Sequence, residues 1–141
     1  MIPKKVIIDT GPIIAFLNKS DHFHDWTITR FAELNPPFLT CESVISEVCF
    51  LLRNSVVGMQ NVFQLLSRGL IKIPFQLESE INAISSLMKK YSDIPMSLAD
   101  ACLVRMSEQI SDSSICTLDS DFKLYRKNKR TVIPVIMPEL K

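Results

Sequence analysis

Two short, mainly apolar runs in this chain each lead into an aspartate, and they stand more than a hundred residues apart. Val6-Ile7-Ile8 ends in Asp9, and Ile115-Cys116-Thr117-Leu118 ends in Asp119. A run that is apolar on both faces reads as a strand covered on both sides, as in a parallel sheet under helices. The segments between them carry helical periodicity. Gly11-Pro12 stops the first strand, and Pro12 suits the first turn of a helix over residues 12–18. Phe23, Trp26, Phe31 and Leu34 predict a loose helical stripe that Asn35-Pro36-Pro37 ends. Phe38-Leu39-Thr40 predicts a short strand. From Ser43, a helix follows with Val44, Val48, Leu51 and Leu52 on one face. Another helix is predicted over residues 56–67 with Gly69 as its stop, and then a strand over 70–73. Ile81, Ile84, Leu87, Met88 and Tyr91 make residues 78–90 the clearest amphipathic helix. A helix over 97–109, a strand over 114–118, a turn with a short helix, and a strand over 131–136 complete the chain. Pro134 requires the last strand to lie at a sheet edge or bulge. Strands alternating with helices imply crossover connections, hence an α/β fold with its parallel sheet covered on both sides.

Composition fits one such domain across residues 1–141. Hydrophobic residues make up 47% and charged residues 22% of the 141, the profile of a packed fold. A chain of this length buries roughly two thirds of its unfolded surface and needs no disulfide or structural metal to fold. With 16 basic and 15 acidic residues the net charge is +1, which excludes a globally basic nucleic-acid binder but not a local basic patch. Lys4 and Lys5 interrupt the N-terminus before a signal-peptide core, and no run approaches the ~20 apolar residues of a membrane span. Cys41, Cys49, Cys102 and Cys116 show no C-x-x-C spacing and sit mostly among apolar neighbours, as reduced core thiols of a cytoplasmic protein would.

Four carboxylates occupy special places. Asp9 and Asp119 each follow a predicted strand, and ligands of open parallel sheets bind at the carboxyl ends of strands. Glu47 and Asp100 sit on otherwise largely apolar helical segments, Val44-Ile45-Ser46-Glu47-Val48 and Leu98-Ala99-Asp100-Ala101-Cys102, where a core-facing acid is costly unless a cation meets it. Like charges ~4 Å apart repel by ~4 kcal/mol at an effective dielectric near ~20. No lysine or arginine lies within four positions on the C-terminal side of Asp9 or on the N-terminal side of Glu47 and Asp100. A divalent cation would neutralise such a set, and oxygen-only ligands favour Mg²⁺ or Mn²⁺ over zinc. Each acid also has a purely structural reading. Asp9 would start a turn, Asp100 would pair with Ser97 in a Ser-x-x-Asp cap, Glu47 would be an exposed helix residue, and Asp119 and Asp121 would form a turn.

Taken as an ordered set, these segments resemble the PIN domain, a family of metal-dependent ribonucleases. The resemblance rests on Ile8-Asp9-Thr10-Gly11-Pro12, Ser43-Val44-Ile45-Ser46-Glu47-Val48, Pro95-Met96-Ser97-Leu98-Ala99-Asp100-Ala101 and Thr117-Leu118-Asp119-Ser120-Asp121-Phe122. It implies a three-layer α/β/α sandwich with a central, mainly parallel sheet. It also implies an acidic pocket of Asp9, Glu47, Asp100 and Asp119, with Asp121 as an accessory acid and Thr10, Ser97 and Thr117 in support. In such domains the acids hold one or two Mg²⁺ or Mn²⁺ ions and activate a water against an RNA phosphodiester. Single-domain members of this size look most like VapC-type toxins, often homodimers held inactive by a small antitoxin. The alternative is a catalytically silent PIN-like module that binds RNA or protein.

Lys123, Arg126, Lys127, Lys129 and Arg130 place five positive charges in eight residues, interleaved with Phe122 and Tyr125, two positions beyond Asp121. This run reads as an RNA-contacting rim or as a solvated loop. His22 and His24 read as surface histidines, because helical side chains two apart diverge. Phe23, Trp26 and Phe31 read as core packing rather than a partner groove. Asp9-Thr10-Gly11 is also the aspartic-protease triplet, but that chemistry needs two such aspartates within an all-β fold. A phosphatase nucleophile at Asp9 would want a second acid two positions on, where Gly11 stands, and no P-loop or G-x-G-x-x-G is present.

Overall fold

The computed structural model describes residues 5–139 of the 141. Lys4, one of the two lysines weighed against a leader, lies outside the described residues, and Lys5 opens the first strand. No helix among the described residues is long and apolar enough to cross a membrane.

Five strands form one parallel sheet in the order β3-β2-β1-β4-β7. They are β1 (Lys5–Ile8), β2 (Phe38–Leu39), β3 (Ile71–Lys72), β4 (Ser113–Cys116) and β7 (Val135–Ile136). The helices are α1 (Thr10–Leu17), α2 (His24–Glu33), α3 (Glu42–Leu51), α4 (Val56–Ser67), α5 (Ile81–Lys90) and α6 (Leu98–Gln109). Val6, Ile7 and Ile8 are buried because β1 is paired on both edges and packed by α6. The chain builds from β1 towards β3 on one side and then returns to add β4 and β7 on the other. Strand order therefore reverses between β1 and β4, and the crevice beyond the carboxyl ends of this pair is where such sheets bind ligands.

Local signals set most element ends. Ser55 caps α4 by accepting from the Gly58 N–H at 2.9 Å, and Gly69 stops the segment at φ +73°, a conformation that disfavours a side chain. Ser97 caps α6 by accepting from the Asp100 N–H at 3.0 Å. A 3-10 turn, Glu78–Glu80, precedes α5. Phe31 stacks on Phe16 and leans on Phe38, with centroids 5.1 and 4.9 Å apart, so it packs as expected of a core ring. The four thiols are free; Cys41, Cys102 and Cys116 are buried, and burial pushes the Cys116 thiol up to about 12.

One predicted strand is two. Residues 131–136 divide into β6 (Thr131–Val132) and β7. β6 leaves the main sheet and pairs antiparallel with β5 (Arg126–Lys127) as a separate hairpin. Pro134 lies between them, and without an N–H it cannot continue a ladder on that side; its carbonyl still accepts from the Ile115 N–H at 2.9 Å. No sequence signal marks the hairpin, because its turn uses Asn128 and Lys129 at φ 50° and 73° with no glycine.

Ile115 is fully buried and pairs with Ile7 and Val135. Ile115→Ala should cost about 2–5 kcal/mol, read as a lower urea midpoint with an unchanged slope.

Candidate acidic active site

Strand register brings the first acid to the crevice. Ile8 pairs with Cys116, so the next residues, Asp9 and Thr117, leave the sheet side by side. The Asp9 N–H donates to the Cys116 carbonyl at 3.0 Å. Asp9 is also the N-cap of α1, where Oδ1 accepts from the Thr10 N–H at 2.7 Å. Its other oxygen, Oδ2, accepts from Thr117 Oγ1 at 2.7 Å. The turn-forming reading of Asp9 is thus correct as local structure, and the same side chain sits in the crevice.

Two threonines extend this contact to the other acids. Thr10 Oγ1 donates to Glu47 Oε2 on α3 at 2.8 Å, across 37 positions of sequence. Thr117 Oγ1 accepts from the Asp119 N–H at 3.0 Å, and Asp119 Oδ1 accepts from the Asp121 N–H at 2.9 Å. Asp100, in the first turn of α6, is buried, and its Oδ2 accepts from the Tyr125 hydroxyl at 3.0 Å. Asp9, Glu47, Asp119 and Asp121 are therefore linked through Thr10 and Thr117, while Asp100 is held from behind by a tyrosine and from its own backbone by Ser97.

Electrostatics shows that the acids share one neighbourhood. Burial, first of all, pushes the Asp9 carboxyl up from 3.8 to about 6; the bonds from Thr117 and Thr10 oppose this, and the charges of Asp100 and Glu47 add to it. Burial also raises Asp100, against the Tyr125 hydrogen bond and with help from Asp119. Burial raises the Tyr125 phenol further, and Asp100 reinforces it. The ion pairs among the described residues join Arg30 to Glu33 and Arg105 to Glu80 and Glu108, and none reaches these acids. Among the described residues, no three His, Cys, Asp or Glu side chains converge tightly enough to form a metal cluster. The donor set is nevertheless oxygen-only, and Glu47 Oε1 and Asp119 Oδ2 carry no hydrogen bond among the described residues. Such donors fit Mg²⁺ or Mn²⁺.

Several expectations change on contact with the fold. Glu47 is exposed rather than core-facing, and with Ser46, Phe50 and Leu51 it borders an open hollow of about 400 Å³. Phe122 and Tyr125 are fully buried, so neither ring is available to stack on a base. Lys123, Lys129 and Arg130 are exposed, and Lys127 is half-buried. Arg126 is half-buried, with Nη1 donating to the carbonyls of Lys123, Leu124 and Tyr125. His22 is exposed, whereas His24 is tied to the Ala15 carbonyl at 2.7 Å and so is not free. An apolar cleft of about 330 Å³ between Phe16, Phe31, Phe38 and Leu65 contains none of the acids. Sequence reasoning does not reach Tyr125 as a partner of Asp100. A tyrosine inside a basic run gives no local sign of a carboxylate 25 residues upstream.

The PIN domain family model matches residues 6–128, and the chain belongs to that family. Among solved structures, it is similar to the VapC20 toxin of Mycobacterium tuberculosis, described as cleaving the sarcin-ricin loop. The match has a TM-score of 0.67 and 17% identity, and covers 85% of this chain and 94% of that one. At that identity the likeness is one of fold. No curated protein gave a match.

The Asp9 shift sets a pH dependence. Between about 4 and about 6 the folded chain holds a proton at Asp9 that the unfolded chain has released, so stability falls as pH rises through that window. Across that window the change amounts to about 3 kcal/mol. In the presence of a chelator, urea midpoints should decline from pH 4 to 6, and Asp9→Asn should flatten the decline and be the more stable protein at pH 7. Equal slopes in the two proteins would contradict this assignment.

Proposed function

We propose that this protein is a Mg²⁺- or Mn²⁺-dependent endoribonuclease that hydrolyses RNA phosphodiester bonds. We further propose that it is the toxin of a toxin–antitoxin pair. The observation that carries the nuclease reading is Asp9. It is a buried carboxylate held by two donors at the switch point of the sheet, crowded by Asp100 and Glu47, and among the described residues no basic side chain pairs with it. Asp9, Glu47, Asp100 and Asp119 would hold the ion, with Asp121 beside them. When bound, such an ion lowers the pKa of its water and neutralises phosphate oxygens.

The chain's own residues supply orientation. Thr117 commits its hydroxyl proton to Asp9 Oδ2, which fixes the plane of that carboxylate. Thr10 holds Asp9 with its backbone and Glu47 with its side chain, so the two acids move together. Ser97 holds the backbone of Asp100 and Tyr125 holds its carboxylate. Ile8 and Cys116 wall off water from behind. The exposed cations Lys123, Lys129 and Arg130, with Lys127, offset the repulsion between these acids and an incoming phosphate backbone.

The VapC20-like fold supports the toxin reading, and a small antitoxin and a second copy of the chain are the proposed protein partners. Phe50, Leu51, Val56 and Val57 are exposed together at the α3–α4 corner, a surface suited to protein contact beside Glu47. Free buried thiols accord with the proposed cytoplasmic setting.

Single-stranded RNA should be cleaved with Mn²⁺ and not with chelator. Asp100→Asn should lower the rate by about 100-fold or more. Mn²⁺ at 100 times its Kd should stabilise the native chain by about 2.7 kcal/mol and the variant by far less, read as thermal midpoints. RNA left intact by the native protein, alongside an active PIN nuclease control, would favour the silent binding module.

A further inference from the structure

A second concave site lies apart from the acids, where α5 and α6 meet the β5–β6 hairpin. It is a cleft of about 620 Å³, within the roughly 300–1,000 Å³ typical of small-ligand sites. Ala83 and Leu87 give it an apolar floor, Ser86 stands on its wall, and Lys90, Arg126 and Lys129 ring it. Arg105 also lines the cleft but is matched by Glu80 and Glu108 at 2.7 and 3.1 Å. Glu108 is in turn occupied, since Oε2 accepts from the Asn128 N–H at 2.7 Å. The uncompensated charge therefore rests on Lys90, Arg126 and Lys129.

Lys90 and Arg126 are held in place, while the Lys129 side chain is exposed on its turn. Lys90 Nζ spends one proton on the Lys129 carbonyl at 2.8 Å and keeps the others. The Arg126 N–H donates to the Tyr91 hydroxyl at 2.8 Å, while Nη1 is shared among three carbonyls at 2.8, 3.2 and 3.0 Å. A guanidinium fixed in this way offers a flat face at little further cost in side-chain entropy. The same residues connect inward: Tyr91 packs edge-on against Tyr125 at 5.0 Å, and Tyr125 holds Asp100. Along α6, Glu108 lies eight residues from Asp100, which is about 12 Å at 1.5 Å per residue.

We propose that this cleft is a subsite for a flanking nucleotide of single-stranded RNA. The base would lie on the Ala83–Leu87 floor against the Arg126 guanidinium, and the phosphate would sit between Lys90 and Lys129. This proposal rests on the ribonuclease reading for its ligand but not for its test, which measures binding without cleavage. A fluorescein-labelled single-stranded RNA oligonucleotide is titrated with the 141-residue chain in chelator across a range of salt. Ser86→Glu, at an exposed helix position, should weaken binding about tenfold. Lys129→Gln should reduce the log–log salt slope by about 0.7. Lys19→Gln, at an exposed lysine outside the cleft, should match the native chain. Nucleoside monophosphate at millimolar concentration should not displace the strand, because a lone nucleotide lacks the connected contacts. Native affinity and slope in both cleft variants would overturn the subsite and leave the nuclease reading intact. Absence of binding by the native chain at low salt would overturn the subsite also, while the cleavage assay decides the nuclease reading separately. Displacement by the monophosphate would assign the cleft to free nucleotides and overturn the strand proposal.

Discussion

The hydroxyl of Thr117 is the joint on which the acidic crevice turns. It donates to Asp9 at 2.7 Å and accepts from the Asp119 backbone at 3.0 Å, so one buried side chain couples the ends of two neighbouring strands. That coupling exists only because β1 and β4 pair in the register that sets Ile8 beside Cys116. A slip of one residue would turn the apolar side chains of β1 to the other face and carry Asp9 away from Thr117. Packing of the sheet and geometry of the acids are therefore one constraint, enforced by the burial of Ile7, Ile8 and Ile115.

The arrangement works against stability. A buried carboxyl raised to about 6 is strained towards its neutral form, and the nearby charges of Asp100 and Glu47 add to the strain. Two hydrogen bonds offset part of that cost, and among the described residues none of it is met by a basic side chain. Proteins tolerate a local conflict of this kind where function requires it. Tyr125 shows the same logic from the other side. A phenol fully inside the core must find an acceptor, and Asp100 supplies one, so a packing residue also orients an acid.

Much of this was legible in the chain, and the gaps have physical causes. The strands ending at Asp9 and near Asp119, the helix over 56–67 and the Ser97 cap follow from periodicity and local chemistry, and all four appear in the fold. The order of acids identified the family. Sequence left Glu47 open between a core-facing and an exposed helix position, because an apolar segment does not say which of its residues faces outward, and the fold shows the exposed one. The hairpin was missed because its turn places Asn128 and Lys129 at positive φ without glycine, and because Pro134 divides a run that looks continuous. Nothing in sequence links Tyr125 to Asp100, Tyr91 to Arg126 or Lys90 to Lys129, since these contacts depend on how α5 and α6 pack.

A net charge of +1 conceals a strong internal polarity. Acids collect at the carboxyl ends of β1 and β4, and five cations follow within eight residues of Phe122. Had those cations stood on a loose loop, they would have been free to collapse onto the acids and neutralise them. Instead, Arg126 is bound to the carbonyls of Lys123, Leu124 and Tyr125, and the Lys129 backbone is held by Lys90 in a turn at positive φ. The hairpin thus carries positive charge on a pinned backbone, apart from the acids. Acids and cations are thereby kept as separate features, and the Tyr91–Tyr125 contact in the interior joins them, through the bonds from the Arg126 N–H to Tyr91 and from Tyr125 to Asp100.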